Sequence, residues 1–287
     1  MNEQMKRYKT MLEDALAAQH FAQGEQDELS QAMRYSLLAG GKRLRGILCL
    51  AACDMAGGDP ETALPFAMAI EMIHAYSLIH DDLPAMDNDT MRRGKPTNHV
   101  VYGEAMAILA GDGLLTDAFW LMSGVKNVRT LDALREVALA AGSFGMVGGQ
   151  ALDMRFGAPY EGLEAVKAIH RKKTGCLITV PVVAGLLLSG ADETLVEQGR
   201  LFGQHLGVAF QIIDDLLDLI GDEEKMGKHL GKDAAEEKMT WPAMVGQERA
   251  RQDAKYETDA ALQALDVFGE KAAFLRELAL NMLDRVN

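Results

Sequence analysis

The sequence predicts an all-α protein, a helix bundle with two buried central helices, and three observations carry that reading. Only 7 of 287 residues are proline, so long segments run uninterrupted through helix-favouring Ala, Leu, Met, Glu, Gln and Lys. Two stretches are apolar almost all the way round a helix, as buried central helices are. No Asn-Gly or Asp-Gly turn separates two alternating strand patterns, since Asp112-Gly113 lies between apolar helical stretches.

Taken in chain order, Met1–Arg7 leads into charged, helix-like sequence with no apolar signal core. From Phe66 to His80, the residues Phe66, Met68, Ile70, Met72, Ile73, Tyr76, Leu78 and Ile79 cover most of a helix circumference, which predicts the first central helix. Cys176–Leu188 is the longest apolar stretch; it falls short of a membrane span and is interrupted by Thr179, Pro181 and Gly185. Asp192–Arg200 is amphipathic and belongs outside. Leu201–Ile220, with Phe202, Leu206, Phe210, Ile213, Leu216, Leu217 and Leu219, is the second central helix, and Ala260–Val286 is again an outer one. Breakers at Gly57-Gly58-Asp59-Pro60, Gly94-Lys95-Pro96, Gly157-Ala158-Pro159 and Gly221 read as joints between helices. None is long or polar enough to link domains, so 1–287 reads as one domain.

Composition narrows the function. The net charge of −13 argues against a nucleic-acid binder, which needs a basic footprint. Cys49, Cys53 and Cys176 are too few for a disulfide framework and read as free thiols in a reducing cytosol. The expectation is therefore a soluble cytoplasmic protein with no integral membrane segment. Gly40-Gly41-Lys42 is no P-loop, because Ser36 replaces the first glycine and Arg43 the Ser/Thr. Asp87-Asn88-Asp89 is no EF-hand, because Arg92 stands where glycine is required, and neither H-E-x-x-H nor G-x-S-x-G occurs.

Two aspartate clusters carry the chemistry. Asp81-Asp82-Leu83-Pro84-Ala85-Met86-Asp87 and Asp214-Asp215-Leu216-Leu217-Asp218 each follow directly on an apolar helix, an expensive place to leave carboxylates. Asp214 and Asp218, at i and i+4, share a helix face and can grip one cation. Asp81 and Asp87 would lie about 120° apart on an ideal helix. Pro84 disfavours helix at Leu83, so a turn is expected to bring Asp87 back toward Asp81. Carboxylates without His or Cys suit Mg²⁺, which binds a few carboxylates together with substrate phosphates. Against the acidic balance, basic residues gather as Lys42-Arg43-Leu44-Arg45, Arg92-Arg93-Gly94-Lys95, Arg171-Lys172-Lys173, and Lys225 with Lys228, Lys232 and Lys238. Arg grips phosphate with its planar fork and Lys as a point charge. Carboxylates for Mg²⁺ beside arginines describe a diphosphate pocket.

These two motifs, Gly40–Arg45 and Phe210-Gln211-x-x-Asp214-Asp215 together resemble the trans-isoprenyl diphosphate synthase family, most of all its bacterial farnesyl diphosphate synthases. The resemblance runs from about Tyr35 to Pro242. It implies antiparallel helices around a central cavity, a homodimer, and condensation of isopentenyl diphosphate with dimethylallyl or geranyl diphosphate. It further implies that Asp81 and Asp87, supported by Asp82, hold Mg²⁺ on the allylic diphosphate. Asp214, helped by Asp218, would hold a further ion, with about three in all once diphosphate is bound. Arg92 would bind the allylic diphosphate; Lys42, Arg45, His74 and Arg93 would bind isopentenyl diphosphate. Lys173, Thr174 and Gln211 match positions facing the allylic substrate and its developing cation, Lys228 and Lys238 match lysines that clamp its diphosphate, and Gln150 and Asp153 match a supporting Gly-Gln-x-x-Asp element. The sequence departs from the family at Asn88-Asp89-Thr90, where relatives often have an unbroken acidic run. At the C-terminus Arg285 is alone and receives no role.

By the same resemblance, ionisation of the allylic C–O bond is driven by Mg²⁺ and the basic groups, the isopentenyl double bond attacks, and the departing diphosphate takes the proton. Tyr76, five residues before Asp81, with Ser77 beside it, matches the floor that stops the chain at C15, farnesyl diphosphate. A geranylgeranyl (C20) synthase and a non-catalytic partner subunit of a prenyl synthase complex are the alternatives. A class I terpene cyclase would replace Asp214–Asp218 with an Asn/Ser/Glu motif and lack the basic residues for a second substrate.

Overall fold

A computed structural model describes residues 2–21, 27–155, 159–220 and 240–284. The described residues form an all-α bundle. In chain order the helices are α1 (Glu3–Ala18), α2 (Glu28–Leu37), α3 (Leu44–Met55), α4 (Pro60–Asp81), α5 (Asn98–Tyr102), α6 (Glu104–Ser123), α7 (Thr130–Ala141), α8 (Met146–Asp153), α9 (Gly162–Ile169), α10 (Cys176–Ser189), α11 (Glu193–Ile220), α12 (Trp241–Val245), α13 (Gln247–Ala264) and α14 (Ala273–Leu283). A π-helical turn, His170–Gly175, joins α9 to α10, so that Gly162–Ser189 is one rod of 28 residues.

Local chemistry sets the helix starts. The Asp59 side chain accepts from the Glu61 backbone N–H at 3.0 Å, and Pro60 takes the first position of α4, where a missing N–H costs nothing. Asn2 and Asp27 cap α1 and α2 in the same way. The Phe66–His80 expectation holds, as α4 buries residues on all sides from Phe66 to Ile79. The second central helix extends further than expected: the amphipathic segment from Glu193 and the apolar segment to Ile220 run together as α11, because the glycines beside their join, Gly199 and Gly203, stay helical and pack against Leu186 and Thr179 of α10. The most deeply buried helix is α10, with every residue from Leu177 to Leu188 buried between α3, α4, α7 and α11. The expected helix joint at Gly94 is instead a tight antiparallel pair, β1 (Met91–Arg92) with β2 (Lys95–Pro96), in register Met91 to Pro96 and Arg92 to Lys95.

Three helices, Pro60–Asp81, Glu104–Ser123 and the Gly162–Ser189 rod, are long and apolar enough to cross a membrane by length and composition. The Cys176–Leu188 stretch is too short for a span by itself, but the helical rod that holds it continues back through Arg171–Lys173 to Gly162. Burial inside the bundle accounts for the first and third, at 67% and 72% of the apolar window, but only 33% of the α6 window is covered.

Candidate active site

The ends of two central helices, α4 and α11, bring the aspartates to one end of the bundle. After Asp81 the chain folds back: the Asp87 N–H donates to the Asp81 carbonyl at 2.8 Å, Asn88 N–H to Leu83 at 3.1 Å and Asp89 N–H to Asp82 at 3.1 Å. Asn88 takes the left-handed conformation, φ 51°, that Asn tolerates better than most residues. The turn expected from Pro84 is present, and it returns the Asp87 backbone to Asp81.

Asp82 faces another way. It is buried, and both its oxygens accept from Arg92: Nε at 2.9 and 3.0 Å, Nη2 at 2.7 Å. This forked pair fixes the guanidinium plane of Arg92, so Asp82 stands behind Arg92 rather than open beside Asp81. Burial pushes the Asp81 carboxyl up to about 6; Lys173 opposes the shift and Asp87 adds to it. On α11, Asp214 is half-buried and Asp218 buried, and the charge of Asp214 reaches Arg45.

The π-helical turn supplies the facing wall. Lys173 Nζ lies 2.6 Å from Asp153 Oδ2, and Thr174 Oγ1 donates to Gln211 Oε1 at 2.9 Å. α8 can approach this turn because residue 149 is glycine: a Cβ there would sit 2.6 Å from Lys173 Cα and 2.7 Å from the Lys172 carbonyl carbon. Between the walls is a cavity of about 390 Å³ lined by Arg45, His74, Tyr76, Asp81, Lys173 and Thr174, with Ser77, His80 and Gln150 among the others. Both polar atoms of the Gln150 amide are buried without a hydrogen-bond partner among the described residues. Tyr76 is only 6% exposed, and its ring meets His80 edge-on at 5.7 Å. Ser77 Oγ donates to the His74 carbonyl at 2.9 Å.

A smaller hollow shares His74 and is lined also by Asp82, Arg92 and Arg93. Burial, then the charges of Arg45 and Arg93, hold His74 well below the usual imidazole range, so it is neutral. Burial likewise lowers Arg45, against the pull of Glu71, and its Nε has no hydrogen-bond partner among the described residues. Arg93 Nη1 donates to the Gly40 carbonyl, and its guanidinium lies where a Cβ on Gly41 would be, 2.8 Å away. Lys42 is exposed and lines a third hollow with Phe210, apart from Arg45. Lys228, Lys238 and Arg285 lie outside the described residues.

Sequence reasoning missed Glu71. It is buried, accepts from the Gly46 N–H at 2.9 Å and lies 3.7 Å from Arg43, which turns inward and donates to the Leu37 carbonyl. The available signal was a lone glutamate inside an otherwise apolar helix.

Among the described residues no three His, Cys, Asp or Glu side chains form one metal-holding cluster. The donors instead stand as carboxylate pairs on two helix ends. Mg²⁺ typically takes one or two carboxylates and completes its shell with water and phosphate oxygens, so the pairs fit it. The raised Asp81 marks a carboxylate short of positive charge, which a cation would relieve.

Residues 26–274 match the family described as polyprenyl synthetase. A farnesyl diphosphate synthase of Geobacillus stearothermophilus is 49% identical over 259 residues, 88% of this chain and 87% of its own. A geranylgeranyl diphosphate synthase of Cyanophora paradoxa is 45% identical over 284 residues, 97% of this chain and 94% of its own. Among solved structures, a geranyltransferase of Helicobacter pylori complexed with magnesium and isoprenyl diphosphate is similar at TM-score 0.84 and 34% identity, covering 99% of this chain and 97% of that one.

Proposed function

We propose that this chain, which belongs to the polyprenyl synthetase family and is a prenyltransferase, condenses isopentenyl diphosphate with dimethylallyl and then geranyl diphosphate to give farnesyl diphosphate. The observation that carries the product length is Tyr76, buried in the cavity lining five residues before Asp81. A chain growing from the aspartate end down this cavity meets an aromatic ring instead of open space.

Arg92, held flat by Asp82, grips the allylic diphosphate with Lys173, Lys228 and Lys238. Magnesium fits at Asp81 and Asp87 and at Asp214 and Asp218, and when bound it neutralises the leaving diphosphate, with about three ions in all. Arg45 and Arg93 hold isopentenyl diphosphate, with neutral His74 between the two hollows, while Lys42 stands in the neighbouring hollow beside Phe210 and is not placed with them. As the allylic C–O bond breaks, Thr174, backed by the Gln211 carbonyl, faces C1, and the apolar walls exclude water from the cation. The isopentenyl double bond forms the new C–C bond, and the proton lost from its C2 passes to the departing diphosphate.

The test is product analysis of the purified protein with isopentenyl diphosphate and dimethylallyl or geranyl diphosphate, with Mg²⁺ and with EDTA. A Mg²⁺-dependent C15 diphosphate is expected. A C20 product would replace the reading with geranylgeranyl diphosphate synthesis, the second reading, which the similarity to the Cyanophora paradoxa enzyme supports. No condensation would leave the role of a non-catalytic partner subunit.

The proposal extends to a homodimer of one-domain chains, cytoplasmic and without a membrane-spanning segment or nucleic-acid partner. Support for the dimer comes from α6, whose Ile108, Leu109 and Trp120 are 44%, 53% and 67% exposed. The free thiols Cys49, Cys53 and Cys176 support a reducing compartment.

A further inference from the structure

Asp215 sits next to Asp214, so on a helix of 3.6 residues per turn it points about 100° away from it. There it is buried at 4% exposure and meets two hydrogen-bond donors and a histidine ring. Its Oδ1 accepts from Gln211 Nε2 at 3.0 Å, and its Oδ2 accepts from the Trp241 backbone N–H at 2.9 Å. His170 stacks on the Trp241 ring, and its Nε2 lies 3.4 Å from the same Oδ2. Trp241 is held in turn through its indole N–H, which donates to Asp253 at 3.0 Å.

The chemistry of the Gln211 contact has a direction. A carboxylate only accepts, so the Gln211 amide must present its NH₂ to Asp215. Its carbonyl oxygen is then forced to the opposite side, where it accepts from Thr174 Oγ1 at 2.9 Å. Thr174 lines the cavity beside Lys173 and Asp81. A glutamine amide is nearly symmetric in shape, and without a fixed acceptor behind it the group can rotate by half a turn. Rotation would turn the NH₂ onto Thr174, whose oxygen would then accept and whose O–H, with its partial positive charge, would be released toward the cavity.

We propose that Asp215 is a positioning residue, not a metal ligand: it sets the polarity of the Gln211 amide so that oxygen, not nitrogen, takes the Thr174 hydroxyl proton, which leaves the Thr174 oxygen lone pairs toward the reacting carbon. The proposal rests on the prenyl-transfer reading for its catalytic consequence, while the hydrogen-bond direction stands without it. The link to Trp241 also ties this polarity to the start of α12.

The substitution that tests it is Asp215→Asn. Asparagine keeps one oxygen for the Trp241 N–H, and its NH₂ then faces Gln211, which must turn its own oxygen toward residue 215. The expected result is a fall in kcat of about tenfold or more, the scale of misdirecting one dipole at a developing charge. KM for both diphosphates and the Mg²⁺ dependence are expected to stay as in the wild type. Gln211→Glu alone sets two carboxylates against each other and is also expected to lose kcat. Combined, Gln211→Glu with Asp215→Asn restores both a hydrogen bond to residue 215 and an oxygen toward Thr174, and is expected to be more active than either single variant. A normal kcat for Asp215→Asn, an increased Mg²⁺ requirement, or a double variant no better than the singles would each overturn the proposal.

A readout independent of turnover separates this inference from the enzymatic one. The Gln211 side-chain amide, followed by ¹⁵N NMR in the intact protein, should exchange one proton slowly in the wild type and faster in Asp215→Asn, where the NH₂ turns to Thr174 beside the cavity. Fast exchange in the wild type would reject the positioning role whatever the protein catalyses.

Discussion

Asp81 shows how far a single residue could be understood before the fold was known. Its chemistry was legible because carboxylates directly after an apolar helix are costly, and the spacing to Asp87 and the match at Asp214 supplied the rest. Asp81→Ala or Asp214→Ala should lower kcat by about a hundredfold or more, as loss of one electrostatic stabiliser does, and steady-state kinetics at saturating Mg²⁺ measures it. The raised pKa gives a second expectation. With its carboxyl pushed up to about 6 from an ordinary 3.8, the folded chain binds this proton more tightly than the unfolded one. Stability from this group is therefore fully present below about pH 4 and is lost as pH rises through 6. Melting curves without Mg²⁺ should show the wild type losing stability relative to Asp81→Asn between these values, and Mg²⁺ with inorganic diphosphate should reverse the loss. Tyr76→Ala should lengthen the product from C15 toward C20, read by chromatography of the dephosphorylated prenols; an unchanged C15 product would contradict the floor. What could not be read at this scale were the pairings. Nothing in the spacing of Asp82 and Arg92 says that they meet through a forked ion pair, or that Arg93 crosses Gly41, because both contacts depend on how the turn after Pro84 and the β1–β2 pair fold over α2.

At the scale of elements, helix type and the two apolar central segments were legible because periodicity is a local property. The boundaries were less so. α11 runs through a join at which surface character changes and where Gly199 and Gly203 pack against α10 instead of ending the helix, and the β1–β2 pair is too short to leave an alternating pattern. The packing of α8 on the π-helical turn was invisible in the sequence, since Gly149 looks like any other helical glycine. Its hydrogen is what allows the Lys172–Lys173 backbone to come close. Gly149→Ala should push Lys173 off Asp153, costing about 1–3 kcal/mol as an overpacked contact does. A melting temperature lowered by a few degrees together with a reduced kcat would register it, and an unchanged melting temperature would show that the turn can yield.

Across the whole molecule, hydrophobic burial explains two of the three long apolar helices and leaves α6. Leu109 and Trp120 are eleven residues apart, which returns them to nearly the same angle after three turns, so they share one exposed face with Asp112 and Thr116 between them. Stable interfaces bury roughly 1,200–2,000 Å² around aromatic anchors inside a polar surround, and this face supplies such an anchor in Trp120. Trp120→Asp should convert a dimer to monomers in sedimentation velocity, with helix content by circular dichroism unchanged; a wild-type protein that sediments as a monomer would remove the dimer altogether. The all-α class and the family were readable from sequence, but the free side of α6 was not, because a helix covered by its own chain and one covered by a second copy have the same composition.

The π-helical turn carries a consequence for how this chain can vary in length. A π turn holds more residues per hydrogen-bonded loop than an α turn, so the rod Gly162–Ser189 contains one residue beyond an even α-helical count. Because a π turn advances less per residue than an α turn, excising a single residue between His170 and Gly175 would restore the regular helix with α9 and α10 still nearly in phase. The side chains inside the turn would be redistributed around the rod, and Lys173 and Thr174 could not both keep their places opposite Asp153 and Gln211. Side chains on this turn can be exchanged one at a time, but the number of residues in it is fixed by the wall they form together.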